Sequence, residues 1–587
     1  MLSSLARPCK LYWSSLNAPP SVASHEQRPI TLIAPLSVVL MVTVLWTPIS
    51  LAQTPPDAGV LQQQRQQQLE RELLENLPKQ APPERPAAPP SESTPVNETV
   101  LVTAYRFEGN TRLTETHLQT VVAPYLNRHM DLSALRTVTT MVAEYYREKG
   151  WLVRVYLPQQ DVTGGTVLIA IQEARLGSVI SEGIPSTRVK PERILETITR
   201  QVKPDEYLNT RALDRGLLLA DDLAGVRVSG ALEAGEGSGQ TNLRVTTAND
   251  PVLRGDMSID NGGMRATGSI RGIGNLRIES PLRQGDQLTL TTIFSEGSQY
   301  GRFGYLMPIG YDGWQVGLNA SWLSYQLVAP EFSALGSEGN SQTVGLTGLY
   351  PLIRTRNYNV QWLMNYDYRR FQNDAVSTRQ SEYQIYEGTM GLTGNWFEEI
   401  LGTAGATFGS LSVVAGHVDQ GARQPGENPD VAGAFTKLRW YVSRQQQLRP
   451  WLSLYGAVTG QKGFSNLDAA ERYYLGGPQS VRAYPVNEAG GSTGWLATGE
   501  LRSHLPWGFG LTGFFDVGRV INSATLGPSA TLKGGGVTLS WRNPLGLACD
   551  VTWAHRLGDN PNPTATGTDQ AGSFIRNRVW FSVSYTF

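Results

Sequence analysis

One arginine in this sequence lies among glycines and apolar residues, where its charge requires a partner. Its segment reads LGGPQSVRAYP, and we single out Leu475, Gly476, Gly477, Val481, Arg482 and Tyr484. A guanidinium cannot shed its proton, so it needs an anion or hydrogen-bond acceptors. Asp516, in the later segment FFDVG, is the candidate for a charge-assisted, bidentate contact. The alternative is a surface arginine in a glycine-rich loop.

The remaining residues that could do chemistry are scattered. The histidines are His25, His117, His129, His417, His504 and His555. None stands beside serine and aspartate residues in an order typical of a catalytic triad. Of the two cysteines, Cys9 is expected to leave with a targeting segment, so that Cys549 alone offers neither a disulfide nor a thiolate cluster. We predict no catalytic residue, no metal site and no cofactor.

The composition favours a β-barrel in a membrane. Charged residues make up only 17% of the chain, and glycine (61) and tyrosine (23) are abundant. Outside the N-terminus there is no apolar run of about 20 residues, as a membrane helix would need. Barrel strands instead hide their hydrophobicity by alternation. The net charge of −1 gives no reason to expect a nucleic-acid partner.

Alternation with a period of two begins near residue 250 and runs to the C-terminus. In residues 358–369, tyrosine, tryptophan and methionine occupy one face, while asparagine, aspartate and arginine occupy the other. The last strand alternates in the same way and ends in Phe587. One apolar and one polar face fit lipid outside and water inside. The strands of a soluble β-sandwich would also alternate, but their apolar face would pack in a water-free core and they would contain fewer tyrosines.

Counting segments by alternation predicts sixteen antiparallel strands in residues 249–587. The short gaps between them are 280–284, 310–313, 354–357, 397–401, 445–448 and 506–509. The long gaps are 327–340, 373–383, 418–431, 462–494 and 557–573. Short turns at one end and long loops at the other are typical of outer-membrane barrels. With an even number of strands, the N-terminus and the C-terminus of the barrel should both lie on the periplasmic side. The 462–494 loop, which carries Arg482, would then start from the outer side.

The phase of one strand decides where Asp516 points. If Phe515 and Val517 face lipid, then Phe514, Asp516 and Gly518 face inward, and a carboxylate in hydrocarbon would be costly. Gly518 suits a place where another backbone approaches closely. We therefore expect Arg482 to meet Asp516 inside the barrel.

The N-terminal sixth of the chain, residues 1–97, divides into three parts. Residues 1–52 combine basic residues, an apolar stretch and Ser50-Leu51-Ala52, the small-x-small pattern of a signal-peptidase site. They predict a cleaved signal peptide, and a permanent membrane anchor is the alternative. Residues 53–77 include a polar helix rich in glutamine. Residues 78–97 form a proline-rich linker that at about 3.1 Å per residue could reach roughly 60 Å, although a disordered tail is the alternative.

Two small α+β modules follow, at residues 98–174 and 175–248. Each reads as a strand, two helices and two strands, and the repetition indicates tandem copies. In the first, strand 100–107 precedes helices 113–126 and 132–149, and strands 151–157 and 166–172. An exposed strand edge in such a module could pair with an extended chain, whereas simple spacers are the alternative.

This order of parts resembles the two-partner secretion transporters, or TpsB proteins, over essentially the whole mature chain. The modules resemble POTRA domains, through Phe107-Glu108-Gly109-Asn110-Thr111 in the first and residues 208–223 in the second. Leu475–Tyr484 resembles the family's VRGY/F loop, which folds back into the lumen, although Ala483 replaces the usual glycine. Phe514–Gly518 resembles the FxDxG motif of the thirteenth strand.

The resemblance implies an outer-membrane pore that secretes one dedicated TpsA-type exoprotein, haemolysin-like or adhesin-like, with its POTRA domains in the periplasm. It also implies that residues 53–77 act as a plug, that Phe587 is a C-terminal signal for the barrel-assembly machinery, and that outer-membrane lipids surround the barrel. A barrel-assembly factor is the main alternative. An outer-membrane enzyme and a passive porin are further ones.

Overall fold

The computed structural model describes residues 55–75, 99–400, 402–420, 429–523 and 527–587. The predicted signal peptide and proline-rich linker lie outside the described residues. Within these ranges, no helix combines the length and the apolar character that crossing a membrane would take.

The first described element is the polar helix. Helix α1 spans Ala58–Glu75. Asp57 caps it by accepting a hydrogen bond from the Val60 amide at 2.8 Å, as an N-cap aspartate typically does. Its glutamines and leucines have good helix propensity, so the segment folds as expected although it has almost no apolar face.

The first module is a three-stranded sheet covered by two helices. Its elements are β1 (Val100–Val102), β2 (Ala104–Glu108), α2 (Glu115–Val122), β3 (Arg128–Met130), α3 (Leu132–Glu148), β4 (Val153–Tyr156) and β5 (Thr166–Glu173). The sheet order is β2-β5-β4, and β1 pairs with β3 in a small second sheet. Two details of the prediction were wrong: strand 100–107 is divided in two, and helix 113–126 ends early in a 3₁₀ turn before the unpredicted β3.

A buried carboxylate ties the opening turn of the first module to its last strand. Glu173 accepts hydrogen bonds from the backbone amides of Thr111 (2.8 Å) and Arg112 (2.7 Å), and from the Tyr146 hydroxyl at 3.1 Å. Burial, together with the Glu173 charge, raises the pKa of Tyr146 above its usual range. This tyrosine therefore stays a donor at any physiological pH.

We expect Glu173→Ala to loosen the first module, because it leaves the buried Tyr146 hydroxyl and two partly buried amides without their acceptor. The cost should be about 2–3 kcal/mol. Limited proteolysis or hydrogen exchange of the full-length protein should show lost protection confined to residues 99–174. Glu108→Ala, at an exposed position on β2, is the control and should change little. Equal protection in the two variants would contradict the role given to Glu173.

The second module repeats this plan. It consists of β6 (Arg175–Glu182), α4 (Pro191–Gln201), α5 (Thr210–Asp221), β7 (Val226–Ala234) and β8 (Gln240–Asn249), with sheet order β6-β8-β7. Ile194 and Ile198 of α4 pack with Leu213 of α5 and Leu243 of β8 in one core. In α4 the helical spacing of apolar residues puts them on the face that meets the sheet.

Sixteen antiparallel strands close into a barrel, as predicted. They are β9 (Leu253–Asp260), β10 (Arg271–Glu279), β11 (Gln287–Ser295), β12 (Ser298–Ile309), β13 (Trp314–Gln326), β14 (Glu338–Arg354), β15 (Tyr358–Ala375), β16 (Thr378–Ile400), β17 (Thr403–Asp419), β18 (Gly433–Arg449), β19 (Leu452–Gly463), β22 (Thr493–His504), β23 (Phe509–Ile521), β24 (Ala530–Arg542), β25 (Leu547–Arg556) and β26 (Asn577–Thr586). The connection from β19 to β22 contains a hairpin of β20 (Tyr473–Leu475) and β21 (Ala489–Gly491). Closure pairs β26 with β9.

The two faces of the barrel differ as the alternation requires. On β15, Tyr366 is 53% exposed on the outer face, whereas Arg369 is 2% exposed on the inner face. Leu318 and Trp322 on β13 are likewise exposed outward. In a barrel that spans a membrane, lipid covers these apolar side chains, while the polar ones line the lumen.

The predicted long loop at residues 373–383 is wrong. The strands continue, so that Ala375 pairs with Thr378 across a two-residue turn. Both central residues, Val376 (φ 51°) and Ser377 (φ 56°), adopt the left-handed conformation that tight hairpins need. Cross-strand ion pairs, including Asp374 with Arg379, stabilise the polar hairpin beyond the apolar band.

The second module is attached to the short turns at one end of the barrel. Arg354 makes a bidentate ion pair with Asp222, at 2.7 and 2.8 Å. Arg193 donates to the carbonyls of Pro308 and Gly310. The short turns and the modules therefore share one end, and the β19–β22 loop begins at the opposite end.

Candidate functional site

The segment that joins β19 to β22 folds back into the barrel. We call residues 464–492 the lumen loop. Its tip includes Val481, Ala483 and Tyr484, each at most 1% exposed. The loop contacts the neighbouring strands β23 and β24 through Arg482 and Ala483, and it contacts β15, a distant strand of the wall, through Glu471. A segment that contacts all of them must cross the lumen.

Arg482 and Asp516 meet inside the barrel. The Arg482 Nε and Nη2 atoms donate to the two carboxylate oxygens of Asp516 at 2.8 and 2.7 Å, and the Arg482 backbone amide donates at 3.2 Å. Thr498 also donates to Asp516, at 3.1 Å. Asp516 is fully buried. Paired geometry of this kind fixes the orientation of the guanidinium as well as its position.

The alternation of β23 brings about this contact. Phe515 is 47% exposed on the outer face, while Phe514 and Asp516 are buried on the inner face. The Phe514 ring centroid lies 3.5 Å from the Arg482 guanidinium carbon, in a cation–π arrangement. The strand thus offers the arginine a carboxylate and an aromatic face two residues apart.

Sequence reasoning missed two further partners of Arg482. Glu500 on β22 forms an ion pair with its Nη1 atom at 2.9 Å. Trp580 on β26 donates from its indole nitrogen to the Arg482 carbonyl at 2.7 Å. The alternation of β22 directs Thr498 and Glu500 inward, but it directs other residues inward as well and does not single out Glu500. The arginine tip is therefore attached to three wall strands.

Glycines make room for the tip and the base of the hairpin. Gly476 (φ 106°) and Gly477 (φ 99°) adopt backbone conformations that other residues rarely take. A Cβ added at Gly518 would lie 2.8 Å from the Leu475 side chain, and one at Gly534 would overlap the Cβ of Ala483. Ala483, which replaces the glycine usual in the family, therefore fits because the wall residue facing it, Gly534, has no side chain.

We expect Gly534→Ala to displace the tip, because the new methyl group collides with Ala483. Overpacking of this kind costs about 1–3 kcal/mol, so secretion should fall several-fold. Gly535→Ala is the control, since a Cβ there meets no atom closer than 3.3 Å. Secreted protein in the medium is the measurement. Equal secretion by both variants would contradict the tight fit.

Helix α1 lies beside the lumen loop inside the barrel. The amide of Ala58 donates to Asn373 on β15 at 2.8 Å, and Gln62 reaches Ser321 on β13 and Thr343 on β14, both at 3.4 Å. The glutamine run therefore meets a polar wall, while Ala58 and Leu61 pack into an apolar cluster of wall and loop residues. These contacts place the helix within the barrel, against β13, β14 and β15.

Phe587 lies at the barrel seam. Its backbone exchanges two hydrogen bonds with Gly255 on β9, at 2.9 and 3.1 Å. Its ring is 44% exposed and stacks on Tyr585 with a centroid distance of 6.2 Å. The C-terminal residue thus extends the pairing of the last strand with the first.

Comparisons with known proteins agree with this architecture. Residues 239–541, more than half of the chain, match the family described as haemolysin secretion/activation protein ShlB/FhaC/HecB, and residues 100–174 match the ShlB-type POTRA domain. The heme/hemopexin transporter protein HuxB of Haemophilus influenzae is 24% identical to this chain, over 82% of this chain and 85% of the length of HuxB. The outer membrane transporter CdiB of Escherichia coli O6:K15:H31 is 27% identical over 77% of each.

A solved structure shares the fold. The CdiB structure from Escherichia coli superposes with a TM-score of 0.69 at 22% identity, covering 91% of this chain and 99% of that one. In this family the barrel lies in the outer membrane and the POTRA domains lie in the periplasm. The chain belongs to the ShlB/FhaC/HecB family of haemolysin secretion/activation proteins, the TpsB transporters of two-partner secretion.

Proposed function

We propose that this protein secretes one dedicated exoprotein from the periplasm to the cell surface and is not an enzyme. The observation that carries the proposal is the lumen loop attached by Arg482 to Asp516 inside a closed barrel. A loop held there by ion pairs, beside a polar helix, forms a lumen lined with movable polar groups. Such a lumen suits passage of an unfolded chain better than chemistry on a small substrate.

The modules supply the entry point in this proposal. We take residues 175–248 to be a second POTRA domain, because they repeat the helices and sheet order of the first. Strands β6 and β7 form the two edges of its sheet, so an extended segment of the exoprotein can pair there by strand addition. The Arg354–Asp222 ion pair holds this module directly at the periplasmic rim.

Helix α1 must leave the lumen for transport. Its contacts with the wall include hydrogen bonds of neutral glutamines, each worth about 0.5–1.5 kcal/mol, and the packing of Ala58 and Leu61 in an apolar cluster. Many weak contacts hold the helix at rest but allow its removal once an exoprotein competes for the space. The predicted linker at residues 78–97 is long enough to let the helix move away.

Other partners follow from the family. We propose that outer-membrane lipids cover the exposed apolar band, and that the barrel-assembly machinery recognises the strand that ends in Phe587. The exoprotein should be large, β-helical and equipped with an N-terminal secretion domain, and its gene should neighbour this one. Because HuxB is a heme/hemopexin transporter, a haem-related cargo is included among the candidates beside haemolysins and adhesins.

Deletion of this gene tests the proposal. We expect one large protein to disappear from the surface and medium, and the full-length gene to restore it. Outer-membrane protein levels should stay constant. A general loss of barrel proteins from the outer membrane would instead establish a barrel-assembly factor and overturn the secretion proposal.

A further inference from the structure

The lumen loop has a second fixed point at its base, far from Arg482. Glu471 is fully buried between two cations of the wall, with its carboxylate 2.5 Å from Arg369 Nη2 and 2.5 Å from Lys437 Nζ. Arg369 also pairs with Glu387 at 2.6 Å. Each of these two cations and two carboxylates is at most 4% exposed, and Arg439 and Asp367 carry further charges close by. We call Glu471, Arg369, Lys437 and Glu387 the base cluster.

The backbone at this point is held from two sides. The carbonyl of Glu471 accepts hydrogen bonds from two wall side chains, Lys437 at 3.2 Å and Gln461 at 2.7 Å. The next carbonyl, of Arg472, accepts from two helix side chains, Gln63 at 3.1 Å and Gln67 at 3.2 Å. Adjacent peptide groups of the loop are thus held by the wall and by α1, respectively.

Helix α1 also covers the base cluster. Gln66 accepts a hydrogen bond at 3.5 Å from the guanidinium of Arg369, which also binds Glu471. Gly59 lies so close to the loop that a Cβ there would be 3.0 Å from the Ala470 amide nitrogen. Glycine in a helix is unfavourable, so this close approach accounts for its presence. The glutamine run and Gly59 therefore form the surface of α1 that contacts the base of the lumen loop.

We propose that Glu471 is a positioning residue that latches the base of the lumen loop, and that α1 keeps this latch closed. The inference deepens the proposed function, since it depends on the helix leaving during secretion. When α1 leaves, the Arg472 carbonyl loses its two donors and water reaches the base cluster. Ion pairs weaken when water replaces a buried surrounding. The base then opens, while Arg482 keeps the tip on Asp516.

The order of events follows from the contacts of each anchor. The tip is bound by Asp516, Glu500 and Trp580 of the wall, and the base is bound by the wall and by α1 together. Loss of α1 therefore acts on the base first. The loop would swing about its tip anchor instead of leaving the lumen as a whole.

Thiol labelling of the full-length protein in outer-membrane vesicles tests the latch. In a Cys549→Ser background, Ala470→Cys reports on the base and Ala483→Cys reports on the tip, since both alanines are at most 1% exposed. Glu471→Gln should raise the rate of maleimide labelling at position 470 by ~tenfold or more, because local opening sets the accessibility of a buried site. Position 483 should stay protected. Glu500→Gln, which removes a tip contact, should leave position 470 protected.

Glutamine variants of α1 test whether the helix keeps the latch at Glu471 closed. Gln63→Ala combined with Gln67→Ala removes the helix donors to the Arg472 carbonyl and should expose position 470. Gln64→Ala, a half-exposed neighbour on the same helix, should not. The proposal is overturned if position 470 stays protected in both Glu471→Gln and the double glutamine variant. It is also overturned if Glu500→Gln or Gln64→Ala raises labelling at position 470 as much as these variants do.

Two further variants guard against a folding defect. The charge exchange Glu471→Lys with Lys437→Glu retains the pair between these two positions but sets a lysine against Arg369, so it should restore protection at position 470 in part. Glu471→Asp, which retains the charge but has a shorter reach, should give intermediate labelling. Folding is checked by the shift in gel mobility on heating. Because labelling needs no exoprotein, this result stands or falls separately from the secretion assay of the gene deletion.

Discussion

Secretion should fall by ~tenfold or more when Asp516 is replaced by asparagine, because removing one partner of a buried ion pair costs about 3–5 kcal/mol. The change removes the charge that holds Arg482 while preserving the size of the side chain. Arg482 would retain Glu500, so the tip is weakened and not eliminated. The measurement is exoprotein in the medium, at equal amounts of folded barrel in the outer membrane.

Asp550→Asn provides the matched control for this prediction. Asp550 also lies on a barrel strand and pairs with an arginine, Arg542, but at 3.4 Å and with the arginine 64% exposed. Exposed pairs contribute little, so this variant should secrete normally. Normal secretion by Asp516→Asn as well would rule out the Arg482 contact as a requirement for transport.

A reversible cross-link between helix and loop should stop secretion completely. A Cβ at Gly59 would lie 3.2 Å from the Cβ of Ala470, close to the separation found in disulfides. In a Cys549→Ser background, oxidised Gly59→Cys with Ala470→Cys would fix α1 to the base of the lumen loop. Secretion should cease under oxidising conditions and return on reduction, because the helix could no longer leave.

A second cysteine pair controls for oxidation itself. Gly510 and Ser540 are paired neighbours on β23 and β24, and a Cβ at Gly510 would lie 3.7 Å from the Cβ of Ser540. A disulfide there joins strands that are already paired, so secretion should be unchanged. If the oxidised Gly59–Ala470 pair also secreted normally, the helix would not need to leave its place.

The alternation of residues predicted most of the barrel because each strand must present one face to lipid. The same rule gave the inward direction of Asp516, and the length of the 462–494 loop drew attention to Arg482. It could not select Glu500 or Trp580, since many inward residues are equally compatible with the alternation. Partners that lie far apart in sequence depend on how the loop crosses the lumen.

Errors arose where polar residues belong to regular structure. Strands were assigned by alternation, and residues 373–383 were predicted as a loop between two of them, yet Asp374 and Arg379 pair across two continuous strands. Glu471 attracted no notice, because a glutamate beside alanines in a long loop is ordinary in sequence. Its importance comes from Arg369 and Lys437, which lie on separate strands and meet it only in the closed barrel.

The attachment of the second module to one sector of the rim gives transport a direction across the pore. Its Arg193 reaches the turn after β12, its Asp222 pairs with Arg354 at the end of β14, and the glutamines of α1 reach β13 and β14 on the same side of the wall. The tip of the lumen loop is anchored instead on β22, β23 and β26, across the pore. The channel vacated by the helix would therefore open off-centre, immediately over the domain that delivers the exoprotein, and the travelling chain would slide along one side of the cylinder.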